Sequence, residues 1–123
     1  MKVLSPTVHG VLDYVVVLLF AAAPTVFGFT GVPATLSYVL AGVHLTMTLF
    51  TRFPMGLVKV VPFPVHGMVE VAVVVGLVAA PWLFGFNDVP AARNFYLGAA
   101  ALIGVVVALT NYRGVTETRA AHA

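Results

Sequence analysis

The stretch that decides the fold is His66–Phe86, HGMVEVAVVVGLVAAPWLFGF, because the same pattern occurs earlier as His9–Phe29, HGVLDYVVVLLFAAAPTVFGF. Aligned without gaps at an offset of 57 residues, both copies keep a His-Gly step, an Ala-Ala-Pro step and a Phe-Gly-Phe triplet. Asp13 and Glu70 place an acidic residue at the same position of each copy. A weaker match continues through the apolar segment that follows, so the repeated unit is about half the chain, as expected of an internal duplication.

The composition is that of a membrane protein. The chain has 123 residues, of which 61% are hydrophobic and 8% charged, and its mean hydropathy is +1.07. So few charges cannot cover a surface that faces water, and the length suits one domain, so we expect a single integral membrane domain over residues 1–123. The net charge of +2 forms no basic patch, and we expect no nucleic-acid partner. Because the chain has no cysteine, disulfides and thiolate metal sites are excluded.

Four apolar runs have the length of a membrane-spanning helix, about 20 residues. These runs cover residues 7–27, 33–50, 64–84 and 91–110. They predict an all-α fold, a four-transmembrane-helix bundle made of two parallel two-helix repeats. Because each repeat contains two spans, both copies enter the membrane in the same sense and should be related by a pseudo-twofold axis along the membrane normal. The predicted segments are repeat 1 over about 5–52, a loop over about 52–63, repeat 2 over about 64–112 and a polar tail over 113–123.

The helix starts have sequence signals of their own. Ser5 is a candidate N-cap before Pro6, and Pro33, Pro64 and Pro90 suit the starts of the other three helices. The first helix has the composition of a signal peptide, but an acidic residue within the apolar run and the faithful second copy favour a helix that is retained.

The helix ends carry a repeated turn motif. A glycine inside each Phe-Gly-Phe triplet is typical of a helix C-terminus, and the proline before it falls within the last turn. The only tryptophan of the chain follows the second proline, and we interpret it as an anchor at the membrane interface. The motif residues are Pro24, Gly28, Pro81, Trp82 and Gly85.

Basic residues predict the orientation in the membrane. The side that holds the termini and the central loop has five of the six: Lys2, Arg52, Lys59, Arg113 and Arg119. The opposite side has only Arg93. The positive-inside rule therefore predicts that both termini and the 52–63 loop lie in the cytoplasm.

Small residues four positions apart form a stripe on each of two helices. Such stripes let helix backbones approach closely, so we interpret them as helix-packing surfaces. The stripe residues are Ala72, Gly76, Ala80, Ala100, Gly104 and Ala108. We expect lipid contact, and either a homo-oligomer or a subunit of a larger membrane complex.

The residues that can carry chemistry lie at the helix starts. His9 and Asp13 are four residues apart, as are His66 and Glu70, so each imidazole shares a helix face with a carboxylate. A carboxylate inside a membrane helix is costly unless it is paired, neutral or beside water. One interpretation is structural, with each acid bonding its histidine and fixing the helix crossing angle. The other is functional: a proton relay, an ion site or a ligand site.

His44 breaks the repeat, since the equivalent position in the second copy is Ala101. Its distance from the end of its helix predicts the same depth as the two acids. Three histidines and two carboxylates should then gather in the cytoplasmic half of the bundle, with hydroxyl neighbours Thr46, Thr48 and Tyr14. We expect His122, in the polar tail, to be solvated and to have no role.

Three functions are compatible with this cluster. The first is binding or passing a proton or a small ion at His9, Asp13, His44, His66 and Glu70. The second is a structural or accessory subunit of a membrane complex, in which the pairs serve only helix packing. The third is a membrane redox protein that binds a divalent metal or a haem, with His44 and either His9 or His66 as axial ligands. Compact metal-binding spacings such as HExxH and known catalytic templates are absent from the sequence, which favours a protein that is not an enzyme and has no cofactor.

The turn motif resembles a known family. Ala80–Phe86, APWLFGF, and Ala23–Phe29, APTVFGF, are similar to the SPW repeat family of small bacterial membrane proteins, whose spans carry a Ser-Pro-Trp step followed by an apolar-Gly-aromatic end. Alanine replaces serine in both copies, and Thr25 replaces tryptophan in the first. The resemblance implies paired two-helix membrane repeats and a bacterial protein, for which we expect the inner membrane, and it supplies no activity.

Overall fold

The structure is a computed structural model that describes residues 2–113. The four predicted spans are confirmed as α1 (Pro6–Phe27), α2 (Gly31–Leu49), α3 (Phe63–Leu83) and α4 (Pro90–Leu109). All four helices are long and apolar enough to cross a membrane. Large apolar side chains are exposed along their outer faces, which is the arrangement expected of a bundle surrounded by lipid. The chain is an all-α integral membrane protein.

The two repeats form two helical hairpins. The closest packing lies within each hairpin, between α1 and α2 and between α3 and α4. Between the hairpins, α1 contacts α4 and α2 contacts α3, as a pseudo-twofold relation requires. The core where the hairpins meet is apolar and includes Val16, Phe20, Leu77, Tyr96 and Ile103.

The two ends of the described part of the chain and the central loop meet at one end of the bundle, which we call the termini end. Two short strands that the sequence did not predict, β1 (Thr51–Arg52) and β2 (Val61–Pro62), pair in parallel there. Leu4 forms a similar parallel bridge with Thr110. Because Leu4 and Val61 occupy the same position of the repeat, each repeat begins by pairing with the segment that ends the other.

The helix starts agree with the sequence signals except in α2. Ser5 is the N-cap of α1, and its Oγ accepts a hydrogen bond from the Val8 amide at 3.2 Å. Helix α2 begins at Gly31, two residues before the predicted start at Pro33. A proline is accepted anywhere in the first turn, because amides there have no partner within the helix.

The opposite end of the bundle, which we call the turn end, repeats one helix-ending geometry. Gly28 adopts a left-handed conformation with φ 71°, and the Phe29 amide donates to the Pro24 carbonyl at 3.1 Å. In the second copy Gly85 has φ 75°, and the Phe86 amide makes the equivalent bond at 2.7 Å. A side chain other than glycine is strained at such a φ, so the motif ends each helix and turns the chain inward.

The small-residue stripes lie partly inside the bundle. Ala80 and Ala100 are buried in the core, and Gly104 is half-buried. The remaining three stripe positions, Ala72, Gly76 and Ala108, are exposed on the outer surface. Packing of these three against another chain stays a prediction.

Candidate functional site

The five predicted site residues converge at the termini end. Their side chains are almost completely buried, none more than 7% exposed. Helix α1 supplies two of them, α2 one and α3 two. We call this group the histidine–carboxylate cluster: His9, Asp13, His44, His66 and Glu70.

The two repeated histidines each face both carboxylates. His9 Nε2 lies 3.2 Å from Asp13 Oδ1 and 3.1 Å from Glu70 Oε2. His66 Nε2 lies 3.1 Å from Asp13 Oδ2 and 2.8 Å from Glu70 Oε1. The i, i+4 pairs predicted from spacing are present, and each histidine has in addition a contact with the acid of the other repeat.

His44 completes the cluster on one side only. Its Nε2 lies 3.3 Å from Asp13 Oδ1 and 3.7 Å from Glu70 Oε1, so the predicted depth is right. The position equivalent to His44 in the second repeat, Ala101, is exposed. The cluster therefore departs from the twofold symmetry of the helices around it.

Two threonines contact the Nδ1 atoms of His9 and His66, the ring nitrogens that do not face the carboxylates. Thr110 Oγ1 lies 2.7 Å from His9 Nδ1, and Thr51 Oγ1 lies 2.7 Å from His66 Nδ1. Each threonine donates its only hydrogen to the carbonyl four residues earlier, at 2.5 Å. The hydroxyl can then only accept from the ring, so Nδ1 carries the hydrogen in both histidines. The Nε2 atom of each ring consequently faces the carboxylates, either as a second N–H or as a lone pair.

The sequence did not predict these threonines. Thr51 and Thr110 are 59 residues apart, whereas the repeat offset is 57, so the gapless alignment pairs Thr51 with Ala108. A threonine follows the second helix of each repeat, but an alignment of the two repeats shows this only if it allows a two-residue insertion.

The hydroxyl neighbours that were predicted do not bond to the cluster. Thr46 and Thr48 donate to carbonyls of their own helix, those of Gly42 and His44. Tyr14 donates to the Met55 carbonyl in the central loop at 2.8 Å. Thr46 and Thr48 thus make the bond that is common for hydroxyls inside a helix, to the carbonyl one turn back.

Aromatic rings close the cluster at the termini end. The His9 ring meets Phe63 edge-on with centroids 5.2 Å apart, and meets Tyr112 at 5.6 Å. The His66 ring lies 5.7 Å from that of Phe53. Phe53 and Phe63 are fully buried. Together with Tyr112 they separate the cluster from water, and we call these three residues the aromatic lid.

Tyr112 lies in the lid just beyond the end of α4. Its hydroxyl oxygen is buried. Burial, together with the nearby negative charges of Glu70 and Asp13, raises the pKa of Tyr112 above its usual value.

Toward the turn end the surroundings of the cluster are apolar. A cavity of about 10 Å³, room for about one water molecule, adjoins the two acids. Its apolar lining is Leu12, Val16, Ile103 and Val106. Farther along, within residues 2–113, the buried hydroxyls of Ser37 and Tyr96 donate to backbone carbonyls. The described part of the chain therefore offers no continuous polar route from the cluster to the turn end.

The geometry suits a metal ion and does not suit a haem. His9, Asp13, His66 and Glu70 each offer a ligand atom, and these atoms all lie within 4.8 Å of one another. A haem iron uses its equatorial positions for the macrocycle, but here carboxylate oxygens lie within 3.3 Å of all three imidazole nitrogens. The predicted axial pair of His44 with His9 or His66 therefore leaves no space for the ring.

A family model described as the SPW repeat domain matches residues 7–120. The chain belongs to the SPW repeat family. The match includes both copies of the repeat and all five residues of the histidine–carboxylate cluster, and it confirms the resemblance carried by the turn motif. Comparisons with curated proteins and with solved structures give no match.

Proposed function

We propose that this SPW repeat protein binds a small cation, a proton or a metal ion, in the histidine–carboxylate cluster. The observation that carries the proposal is the convergence of three imidazole Nε2 atoms on two buried carboxylates, at 2.8 to 3.7 Å. Two negative charges in a bilayer are tolerated only when positive charge accompanies them. The cluster is therefore built to hold positive charge.

The metal-free cluster can hold two exchangeable protons. With the Nδ1 hydrogens of His9 and His66 directed at threonines, an added proton on each Nε2 lies between ring and carboxylate. Two such protons balance the charges of Asp13 and Glu70 and leave the cluster neutral, which a medium of low dielectric favours.

Binding is better supported than passage through the membrane. The apolar surroundings toward the turn end oppose movement of a charge across the bundle. We propose that the cation enters and leaves at the termini end, past the aromatic lid. The distribution of lysine and arginine supports a cytoplasmic location for that end. We propose that the membrane is the inner membrane of a bacterium, as the resemblance to the SPW repeat family implies.

A structural role is the second candidate, favoured by one observation. The cluster joins α1, α2 and α3, and through Thr110 it also holds the end of α4. In that case the buried pairs fix the helices, and the protein serves as an accessory subunit or scaffold of a membrane complex.

Replacing both carboxylates separates the candidates. In Asp13→Asn/Glu70→Gln the side chains keep their size and lose their charge, and Asp88→Asn is the control because that carboxylate is exposed. Infrared difference spectra between acidic and alkaline pH, recorded in lipid, should show a buried carboxylate signal, which shifts when the neighbouring imidazoles lose their protons, in the wild type and in the control. The signal should be absent from the double variant, whose helical circular dichroism should be unchanged.

Two results would overturn the proposal. A buried carboxylate signal that persists in the double variant would place the titrating groups elsewhere. A double variant that unfolds, or that loses its native mass in mild detergent, would favour the structural role.

A further inference from the structure

We propose that the cation is a divalent first-row transition metal, bound by His9, Asp13, His66 and Glu70 with His44 at the edge of the site. This inference rests on the proposed function and specifies its ligand. The chain supplies imidazole and carboxylate donors and has no thiolate, a combination that suits zinc, iron or manganese. Magnesium and calcium prefer sites made of oxygen ligands alone.

The spacing of the donor atoms is that of ligands around one ion. Donors bound at about 2.0 to 2.2 Å lie about 2.8 to 3.6 Å apart when neighbouring bonds meet at octahedral or tetrahedral angles. The four nitrogen–oxygen separations between the repeated histidines and the acids are 3.2, 3.1, 3.1 and 2.8 Å. An ion at the centre of the cluster needs only small shifts of these side chains.

Hydrogen bonds alone do not satisfy the carboxylates. Asp13 Oδ2 and Glu70 Oε2 are buried and have no hydrogen-bond partner among residues 2–113, although each lies 3.1 Å from an imidazole nitrogen. Each Nε2 carries at most one hydrogen and faces two acids, so one hydrogen cannot serve all the oxygens around it. A metal ion at the centre contacts both carboxylates and both rings at once.

The threonines prepare the histidines to be ligands. A histidine that binds a metal usually donates its other ring N–H to a fixed acceptor, which sets the tautomer and the ring orientation. Thr51 and Thr110 provide that acceptor for His66 and His9, because their own hydrogens are committed to backbone carbonyls. When no proton is added, Nε2 presents its lone pair to the centre of the cluster.

Charge balance links the metal to the protons. One divalent ion offsets the two carboxylates as two protons do, and metal ligands must be deprotonated to bind. The site therefore exchanges two protons for one metal ion, and its metal affinity should fall as the pH is lowered.

Cobalt(II) is the probe that tests this site. Chelator-treated protein in mild detergent is dialysed against Co²⁺, whose visible absorption reports coordination by nitrogen and oxygen. We expect one Co²⁺ per chain, displaced by Zn²⁺ and not by Mg²⁺.

A threonine variant tests the ligand set without removing a ligand. Thr51→Val/Thr110→Val keeps every donor atom and should weaken Co²⁺ binding by about 10- to 100-fold, as loss of outer partners does in other metal sites. Thr48→Val is the matched control, because Thr48 is equally buried and its hydroxyl donates to a backbone carbonyl four residues back, that of His44, instead of bonding an imidazole nitrogen. The control should bind Co²⁺ as the wild type does.

The outcomes separate this inference from the proposed function. Folded wild-type protein that binds no stoichiometric Co²⁺, or equal affinities for the double variant and the Thr48 control, would overturn the metal site. If Co²⁺ fails while the infrared carboxylate signal of the wild type is present, the cluster binds protons only. If both are missing, the cation-binding function fails as well.

Discussion

Gly10 lets the central loop close over the histidine–carboxylate cluster, and an alanine there should destabilise the protein. A Cβ at Gly10 would lie 2.5 Å from Met55 Cβ and Cγ and 2.8 Å from Phe53 Cε2. Carbon atoms in contact are about 3.5 to 4.0 Å apart, so the loop would have to move by about 1 Å. Met55 Cβ is fixed by the main chain and Phe53 is fully buried, so neither can turn aside.

Three glycine-to-alanine substitutions, at positions with different amounts of space, should affect the stability of the protein to different degrees. Overpacking a buried site costs about 1 to 3 kcal/mol, and we expect Gly10→Ala at the upper end of this range. Gly67, at the same position of the second repeat, would meet the outer end of the Tyr112 ring at 2.6 Å, which can move more easily, so about 1 kcal/mol is expected. A Cβ at Gly76 would meet no atom of residues 2–113 within 4 Å beyond its immediate neighbours in its own helix. Alanine there should therefore be neutral or stabilise the protein by up to about 1 kcal/mol.

Unfolding in mixed micelles measures the series. The three variants are titrated with a denaturing detergent, and the loss of helical circular dichroism gives the free energy of unfolding. The expected order of stability is Gly76→Ala, then Gly67→Ala, then Gly10→Ala. If Gly10→Ala were as stable as Gly76→Ala, the close approach of the loop to α1 would be refuted.

Three further predictions concern aromatic residues. Tyr96→Phe removes a buried hydrogen bond to the Pro33 carbonyl, 2.7 Å long, and should cost about 1 to 2 kcal/mol of unfolding free energy in the same assay, whereas Tyr38→Phe, half-exposed, should cost less than about 0.5. Trp82 is the only tryptophan and its side chain is 56% exposed, so its fluorescence should be quenched most by lipids brominated near the headgroup; strongest quenching from the chain ends would contradict an interfacial anchor. The pKa of Tyr112 is raised by burial, so its neutral form stabilises the fold at pH values below the ordinary pKa of about 10, and this contribution is lost as the pH rises through the folded-state pKa. The difference in phenolate absorption between the wild type and Tyr112→Phe measures that titration, and a midpoint at or below the ordinary value would contradict the burial of the ring.

The duplicated sequence was sufficient to predict the helices and most of the site. A period of 57 residues located both hairpins, and the i, i+4 spacing placed each histidine beside its acid. His44 could be added because helix rise converts sequence position into depth, and the structure places it 3.3 Å from Asp13.

The contacts that the sequence could not supply depend on tertiary packing. His9 contacts Glu70 and His66 contacts Asp13 only because α1 and α3 approach at their N-terminal ends. Thr51 and Thr110 reach the histidines because the segment that ends each repeat pairs with the start of the other repeat. The two threonines are not aligned with each other in the gapless alignment. The aromatic lid likewise brings together the central loop, the start of α3 and the segment after α4, which no local pattern predicts.

The family assignment supports the architecture, whereas the proposed chemistry depends on the candidate site. Membership of the SPW repeat family supports the paired-hairpin architecture and the turn motif at the turn end. The proposed chemistry rests instead on the termini end, on five side chains and two threonines. Variants at the turn motif should therefore change stability without changing the ligand set of the cluster.

The most direct test of a cation site in the cluster is to count the protons released for each Zn²⁺ bound. Chelator-treated protein is titrated with Zn²⁺ in weakly buffered solution with a pH indicator, beside the Asp13→Asn/Glu70→Gln variant. Exchange at the cluster predicts about two protons per bound ion in the wild type, weaker binding at lower pH, and neither binding nor release in the variant. Zn²⁺ binding without proton release, or proton release that persists in the variant without the two carboxylates, would contradict a cation site in the cluster.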